Sequence, residues 1–396
     1  CGGIQGYQVF VGDLRHTGGT VIDRGTLQVG TGGAAGSLAG NVIVNGTLAF
    51  DRSDDIRFDG IISGDYGTLR KAGAGTLTLG GLNTFGRYNI FGRGTTVEDG
   101  TLRIANGASV DNIVSVGGSA FLTVDHGGKA TGAVLDDGAT VDNAGFMGSS
   151  LQGPVVSGNT VTLINHDGGI IDGPVPDGIT TPAVSLRTGS TLTNGVGSMI
   201  RGYTGVESWG VVNNAGGTIV GVVRDGIGGK ATLINNTMGG QIVAGTSPPP
   251  FGPDGAGVFT TGFGVTINNL GSSAIVGTRE GVRAYDGATV TNDGGSLISG
   301  ATGINLAGAQ GYTNFIANTG GSTITGTRAG IYLNDGGVIV NGSGSTIETT
   351  AMSSGDCAVT LSCAIFVPIY TGVGGVGSLG KLTLFNAGYI GGDVQM

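Results

Sequence analysis

The sequence predicts an all-β solenoid. Short alternating runs such as Thr76-Leu77-Thr78-Leu79 and Thr101-Leu102-Arg103-Ile104 open on Gly-Thr and close on glycine or asparagine, the pattern of half-buried strands between tight turns. The same phrase occurs earlier as Gly25-Thr26-Leu27-Gln28-Val29 and Gly46-Thr47-Leu48-Ala49-Phe50, so the unit recurs at about 21 to 33 residues, within the range of repeat architectures. Composition excludes the other classes. With 86 glycines, 9 prolines and 11% charged residues in 396, composition argues against an ordinary globular domain and leaves a solenoid, disorder or a collagen-like rod. Glycine has no three-residue period and proline is scarce, which removes collagen. Disorder goes next, because 39% hydrophobic residues, many in alternating Val, Ile and Leu runs, suffice for a continuous core.

The first block, 1–110, carries the phrase most clearly. Leu69, Lys71, Gly73, Gly75, Thr76, Leu77 and Leu79, then Asn83 and Thr84, then Gly100, Thr101, Leu102 and Ile104, resemble the autotransporter-associated β-strand repeat of bacterial surface proteins. The likeness extends over 18–66 through Gly25-Thr26-Leu27 and the run 48–55. It departs at 86–93, where the link is longer than the family's. The resemblance implies a right-handed parallel β-helix, a passenger domain exported through an outer-membrane barrel and displayed on, or released from, a bacterial surface.

Residues 111–160 read as looser transitional coils, with strands at 121–124 and 140–143. From 161 a second repeat takes over: strand, asparagine, glycine-rich corner, second strand, glycine. Its asparagines are Asn165, Asn194, Asn214, Asn235, Asn268, Asn292 and Asn318, and a third strand often follows, as at 303–306 and 330–333. Three strands and three corners in about 20 to 25 residues make one coil, with like residues about 4.7 to 4.9 Å apart along the stack. The asparagines are then expected to form an amide ladder that satisfies backbone groups left unpaired at a corner.

Three stretches break the period, at 174–182, 246–264 and 351–380, and are read as insertions on one face, since proline clusters cannot donate to a sheet. Their aromatics Phe251, Phe259, Phe263, Phe366 and Tyr370 are the candidate ligand contacts, with packing back onto the coil as the other reading. Cys357 and Cys363 bracket five residues and are expected to close a small disulfide ring in an oxidising compartment. For Cys1 three readings stay open: an added residue, an upstream partner, or a lipid-bearing cysteine.

Catalytic chemistry is poorly represented. No Gly-x-Ser-x-Gly occurs, and only His16, His126 and His166 are available as bases. The adjacent pairs Asp54-Asp55 and Asp136-Asp137 point to opposite faces of a strand and read as solvated turns. Asp125-His126 is a polar turn without a second histidine, and 374–378 lacks the aspartate of a calcium nonapeptide. No catalytic residue, metal or cofactor is expected. Trp209, the single tryptophan, is either a sugar platform or corner packing.

The net charge of −9 argues against nucleic acid as a partner, and no apolar run is long enough to insert in a membrane as a helix. The export signal and barrel are expected outside this chain, which reads as a fragment. The function expected is a non-enzymatic adhesin or autoaggregation rod, extracellular or on the cell surface, with a host-cell, bacterial-surface or matrix partner. A structural stalk or self-associating filament subunit ranks second, and a polysaccharide-degrading β-helix third.

Overall fold

The computed structural model describes residues 6–15, 18–86, 94–148, 153–175, 180–245, 255–285, 287–307, 312–334, 336–350, 363–366 and 382–395. Among them every regular element is a strand, and the pairings are parallel, so the chain is a parallel β-solenoid. It divides into two compact units, 1–172 with 185–191 and 173–184 with 192–396.

In the first unit, strands Ile56–Phe58, Thr76–Leu79, Thr101–Ile104, Phe121–Val124, Thr140–Asn143 and Thr162–Asn165 stack in one row. Side chains alternate across a strand, so Leu77, Leu102, Leu122, Val141 and Leu163 form a fully buried column while Thr78, Arg103 and Thr123 face away from the core. A second row, Thr26–Val29, Thr47–Asp51 and Thr68–Ala72, stacks Leu27 on Leu48 on Leu69. The lysine of the repeat phrase has a physical role here. Lys71 is 1% exposed, and its ammonium donates to the carbonyls of Ala72, Gly73 and Asp99 at 3.1, 2.7 and 3.0 Å, sealing a corner. Gly75 is required by closeness, since a Cβ there would lie 2.0 Å from the Asp54 carbonyl. Along the first row the buried column Leu79, Ile104, Val124 changes to Asn143 and Asn165, whose amides pair at 2.7 Å.

The second unit builds three rows. In the first, Asn194, Asn214, Asn236, Asn269, Asn292, Asn318, Asn341 and Asn386 form an unbroken ladder, each Nδ2 donating to the next Oδ1 at 2.7–2.9 Å. The same amides reach corner carbonyls, as Asn236 does to Gly240 at 3.0 Å. Two of the expected rungs are corrected: Asn235 and Asn268 stand outside the core, and Asn236 and Asn269 are the buried ones. Parity decides it, because the buried asparagine lies two residues beyond the buried apolar side chain, as Asn236 does beyond Ile234. Asn213, Asn235 and Asn268 form a second, outer ladder.

The second row stacks Ile219, Ile242, Ile275, Ile298, Ile324 and Ile347 in register. The third row comprises Val206–Ser208, Ile227–Gly229, Val258–Thr260, Glu280–Tyr285, the second halves of Leu297–Ala307 and Thr323–Leu333, and Cys363–Phe366. Before the buried Val or Ile of six of these strands stands a glycine, Gly205, Gly226, Gly257, Gly281, Gly303 and Gly330, and before Ile365 stands the small Ala364. A Cβ at Gly281 would lie 2.7 Å from Ile298 Cγ2 and 2.6 Å from the Gly303 carbonyl, so the glycine column is what lets the second and third rows close on each other.

Candidate functional site

The outer side of the third row in the second unit carries most of that unit's described charged residues, set among half-buried aromatics. The strands expose alternate residues, and parallel register turns these into axial columns. One column reads Phe259, Arg283, Asn305, Tyr332 and Phe366. Beside it run Trp209, Lys230, Thr261 and Tyr285, following the same pairings outward.

Within the columns the groups interlock. The Arg283 guanidinium lies 5.5 Å from the Phe259 ring and 5.4 Å from the Tyr285 ring, and donates to Tyr285 Oη at 2.5 Å. Phe259 meets Tyr285 edge-on at 6.1 Å, and Tyr332 stacks on Phe366 at 5.3 Å. The Lys230 ammonium sits 5.3 Å from the Trp209 ring centre. Such contacts fix cations and rings in place before any partner arrives, which lowers the entropy cost of binding.

Two hollows open on this face. The larger, about 340 Å³, is lined by Glu207, Trp209, Arg224, Asp225, Lys230 and Phe259, with Thr180 and Pro182 at its rim. The smaller, about 160 Å³, lies among Arg279, Glu280, Asn305, Arg328, Tyr332 and Phe366. Each has a buried carboxylate in its wall. Asp225 accepts from the Ala256 N–H at 2.9 Å, and burial pushes its carboxyl above the usual aspartate value against the opposing pull of that bond and of Arg224 and Arg283. Glu280 accepts from Arg279 Nε at 3.3 Å and Asn305 Nδ2 at 3.2 Å.

Two of the sequence-derived contact residues, Phe259 and Phe366, meet in one column. Both stand on coil strands rather than on inserted loops, a correction that follows from register: Val258 and Ile365 take ordinary buried ladder positions. Phe263 lies apart, exposed on a turn with its ring 6.0 Å from that of Tyr312. Cys363 is buried and disulfide-bonded. Phe251, Tyr370 and Cys357 lie outside the described residues. The basic residues escaped the sequence reading, although a signal exists in the phrase Arg-x-Gly followed by Ile or Val at 224–227, 279–282 and 328–331.

The passenger-associated transport repeat family matches residues 6–29 and 69–104, the segments that hold the Leu27 and Leu69 positions and the Lys71 corner. Over 124 residues the chain is 40% identical to the adhesin BmaC autotransporter of Brucella suis biovar 1 (strain 1330). The two matches together support an autotransporter passenger domain with transport repeats. The match to the adhesin takes in 31% of this passenger and 3% of that protein's length. No solved structure matches the passenger. Passenger sequence of this kind is exported to the cell surface or beyond it.

Proposed function

We propose that this passenger is a non-enzymatic adhesin, displayed at the bacterial surface or released from it, that meets a host-cell, bacterial-surface or matrix component through the third row of its second unit. The observation that supports this reading is the concentration of half-buried aromatics and basic side chains on that one outer face, interlocked by ring and cation contacts. Aromatic and arginine side chains dominate binding energy at interfaces, and here they stand on stacked strands instead of loops. The name of the Brucella relative points the same way.

The test uses the purified 396-residue chain on cultured cells and matrix-coated surfaces, beside a Tyr332→Ser/Phe366→Ser variant. Loss of a stacked aromatic pair at an interface centre is expected to weaken binding by about 2 kcal/mol or more, roughly thirtyfold, with an unchanged strand spectrum in circular dichroism. Binding unaltered in a folded variant overturns this face as the contact surface and returns preference to a stalk or filament.

A further inference from the structure

The arginines of this face are spaced, and the spacing says what they hold. Three residues before the buried apolar side chain of each third-row strand lies a corner position, which is Tyr203 in the first coil of the row and then, in successive coils, Arg224, Gly255, Arg279, Ala301 and Arg328. The backbone confirms the alignment: a Cβ on Gly255 would touch the Arg224 carbonyl, and the Arg279 N–H donates to the Gly255 carbonyl. Arginine therefore recurs on alternate coils, about 9.5 Å apart at two strand spacings, with the smallest side chains between. Glycine and alanine leave the intervening coils open, so a chain lying along the axis would meet a guanidinium, a gap, and a guanidinium.

Charge favours an acidic occupant. The second unit has six described basic residues, Arg201, Arg224, Lys230, Arg279, Arg283 and Arg328, and all but Arg201 are on this face. Against these five stand the carboxylates of Glu207, Asp225 and Glu280, the last two buried beneath the surface. The face is thus net positive on a chain whose net charge is −9.

We propose that this face binds a linear acidic polysaccharide, a uronate- or sulfate-bearing chain laid along the coil axis, its anionic groups on Arg224, Arg279 and Arg328 and its sugar rings against Phe259, Tyr285 and Tyr332. Two coils match the repeat of one disaccharide in an extended chain, so one anionic group per disaccharide meets one arginine. Guanidinium is suited to this because its planar fork bonds sulfate or carboxylate in two places. The axial aromatic column beside it offers faces to the apolar sides of the rings. The inference rests on the adhesin reading for its location and goes further in naming the ligand.

Binding of the full chain to heparin, polygalacturonate and neutral dextran, measured by surface plasmon resonance at rising salt, tests it. Both acidic glycans are expected to bind, with affinity falling as salt rises, and dextran is not. Arg279→Ala/Arg328→Ala is expected to weaken binding about tenfold or more. The decisive variant is Arg279→Ala/Ala301→Arg, which keeps the net charge and destroys the alternate-coil spacing; it is expected to bind as poorly as Arg279→Ala alone. Wild-type affinity in that variant, or equal capture of duplex DNA, would mean general polyanion attraction and overturn the proposal. No binding to either acidic glycan also overturns it, and cell adhesion that persists in that case leaves the adhesin reading standing by itself.

Discussion

Asp225 carries a carboxyl pushed above the ordinary aspartate value of 3.8, first by burial. The folded state therefore holds its proton to higher pH than the unfolded chain does. Its contribution to stability is complete below the unfolded value and is lost as pH rises through the folded one. Asp225→Asn keeps an oxygen for the Ala256 N–H and removes the titration. The variant is expected to lose less stability than the wild type as pH goes from about 4 to 7, as read from denaturant melts at each pH; parallel pH profiles would refute it. Gly281 shows another kind of constraint at the same scale. Its φ is ordinary, so strain is not the issue, and a Cβ meets Ile298 and the Gly303 carbonyl too closely. Gly281→Ala is expected to cost about 1–3 kcal/mol by overpacking, measured in the same melts. Neither constraint is legible from composition, because a count of glycines does not say which of them stand where two rows meet. At Gly205, Gly226, Gly257, Gly281, Gly303 and Gly330 the reason is the closeness of two rows.

For the strands, the alternation of Leu and Thr was enough to place the rows at 76–79 and 101–104, and the asparagine repeat announced the ladder. What it did not give was parity at double asparagines. Asn235-Asn236 and Asn268-Asn269 each offer two amides, and only the requirement that the inner one sit two residues beyond Ile234 or Ile267 chooses between them. The ladder makes a specific demand on each rung. In Asn269→Ala, Asn236 Nδ2 keeps its bonds to the Gly240 and Ala274 carbonyls, whereas Asn292 gains nothing to replace the donor on its Oδ1. A loss of about 2–4 kcal/mol is expected, from an unsatisfied buried acceptor together with a small cavity. The outer Asn268→Ala is expected to cost less than about 1 kcal/mol, since water replaces what it loses. Equal losses in the two variants would contradict the assignment of inner and outer ladders. The face of Phe259 and Phe366 was only partly legible for a related reason. A broken repeat period on their flanks marked both as loop residues, while pairing to Arg283 and Tyr332 is a property of register that no single stretch of sequence displays.

At the scale of the molecule, the two units differ in what holds their coils together. Both have apolar columns; to these the second adds the continuous ladder from Asn194 to Asn386, while the first adds the Asn143–Asn165 pair and charged staples such as Lys71 and the bidentate Arg70–Glu98 pair. In a repeat array, stability is a sum over coils and their interfaces, so the units need not open together. Amide hydrogen exchange is expected to show slower exchange in the rows of 192–349 than in those of 20–104, and the reverse order would refute the ladder as the main source of cohesion. The resemblance to exported passengers gave the fold class because the repeat phrase is long and specific. It was silent on the arginine column, which depends on three short phrases separated by some fifty residues each.

The polarity of the inner ladder has a genetic consequence. Every rung from Asn214 to Asn341 gives its Nδ2 to the coil that follows and takes from the coil that precedes, so the file of amides has one direction and its interior members are equivalent. Any such coil can therefore follow any other. Duplicating 270–292 in frame would place a new rung between Asn292 and Asn318 with donor and acceptor already matched. A gene built this way can gain or lose whole coils by recombination without a step through a misfolded product, and the length of the stack becomes a heritable setting.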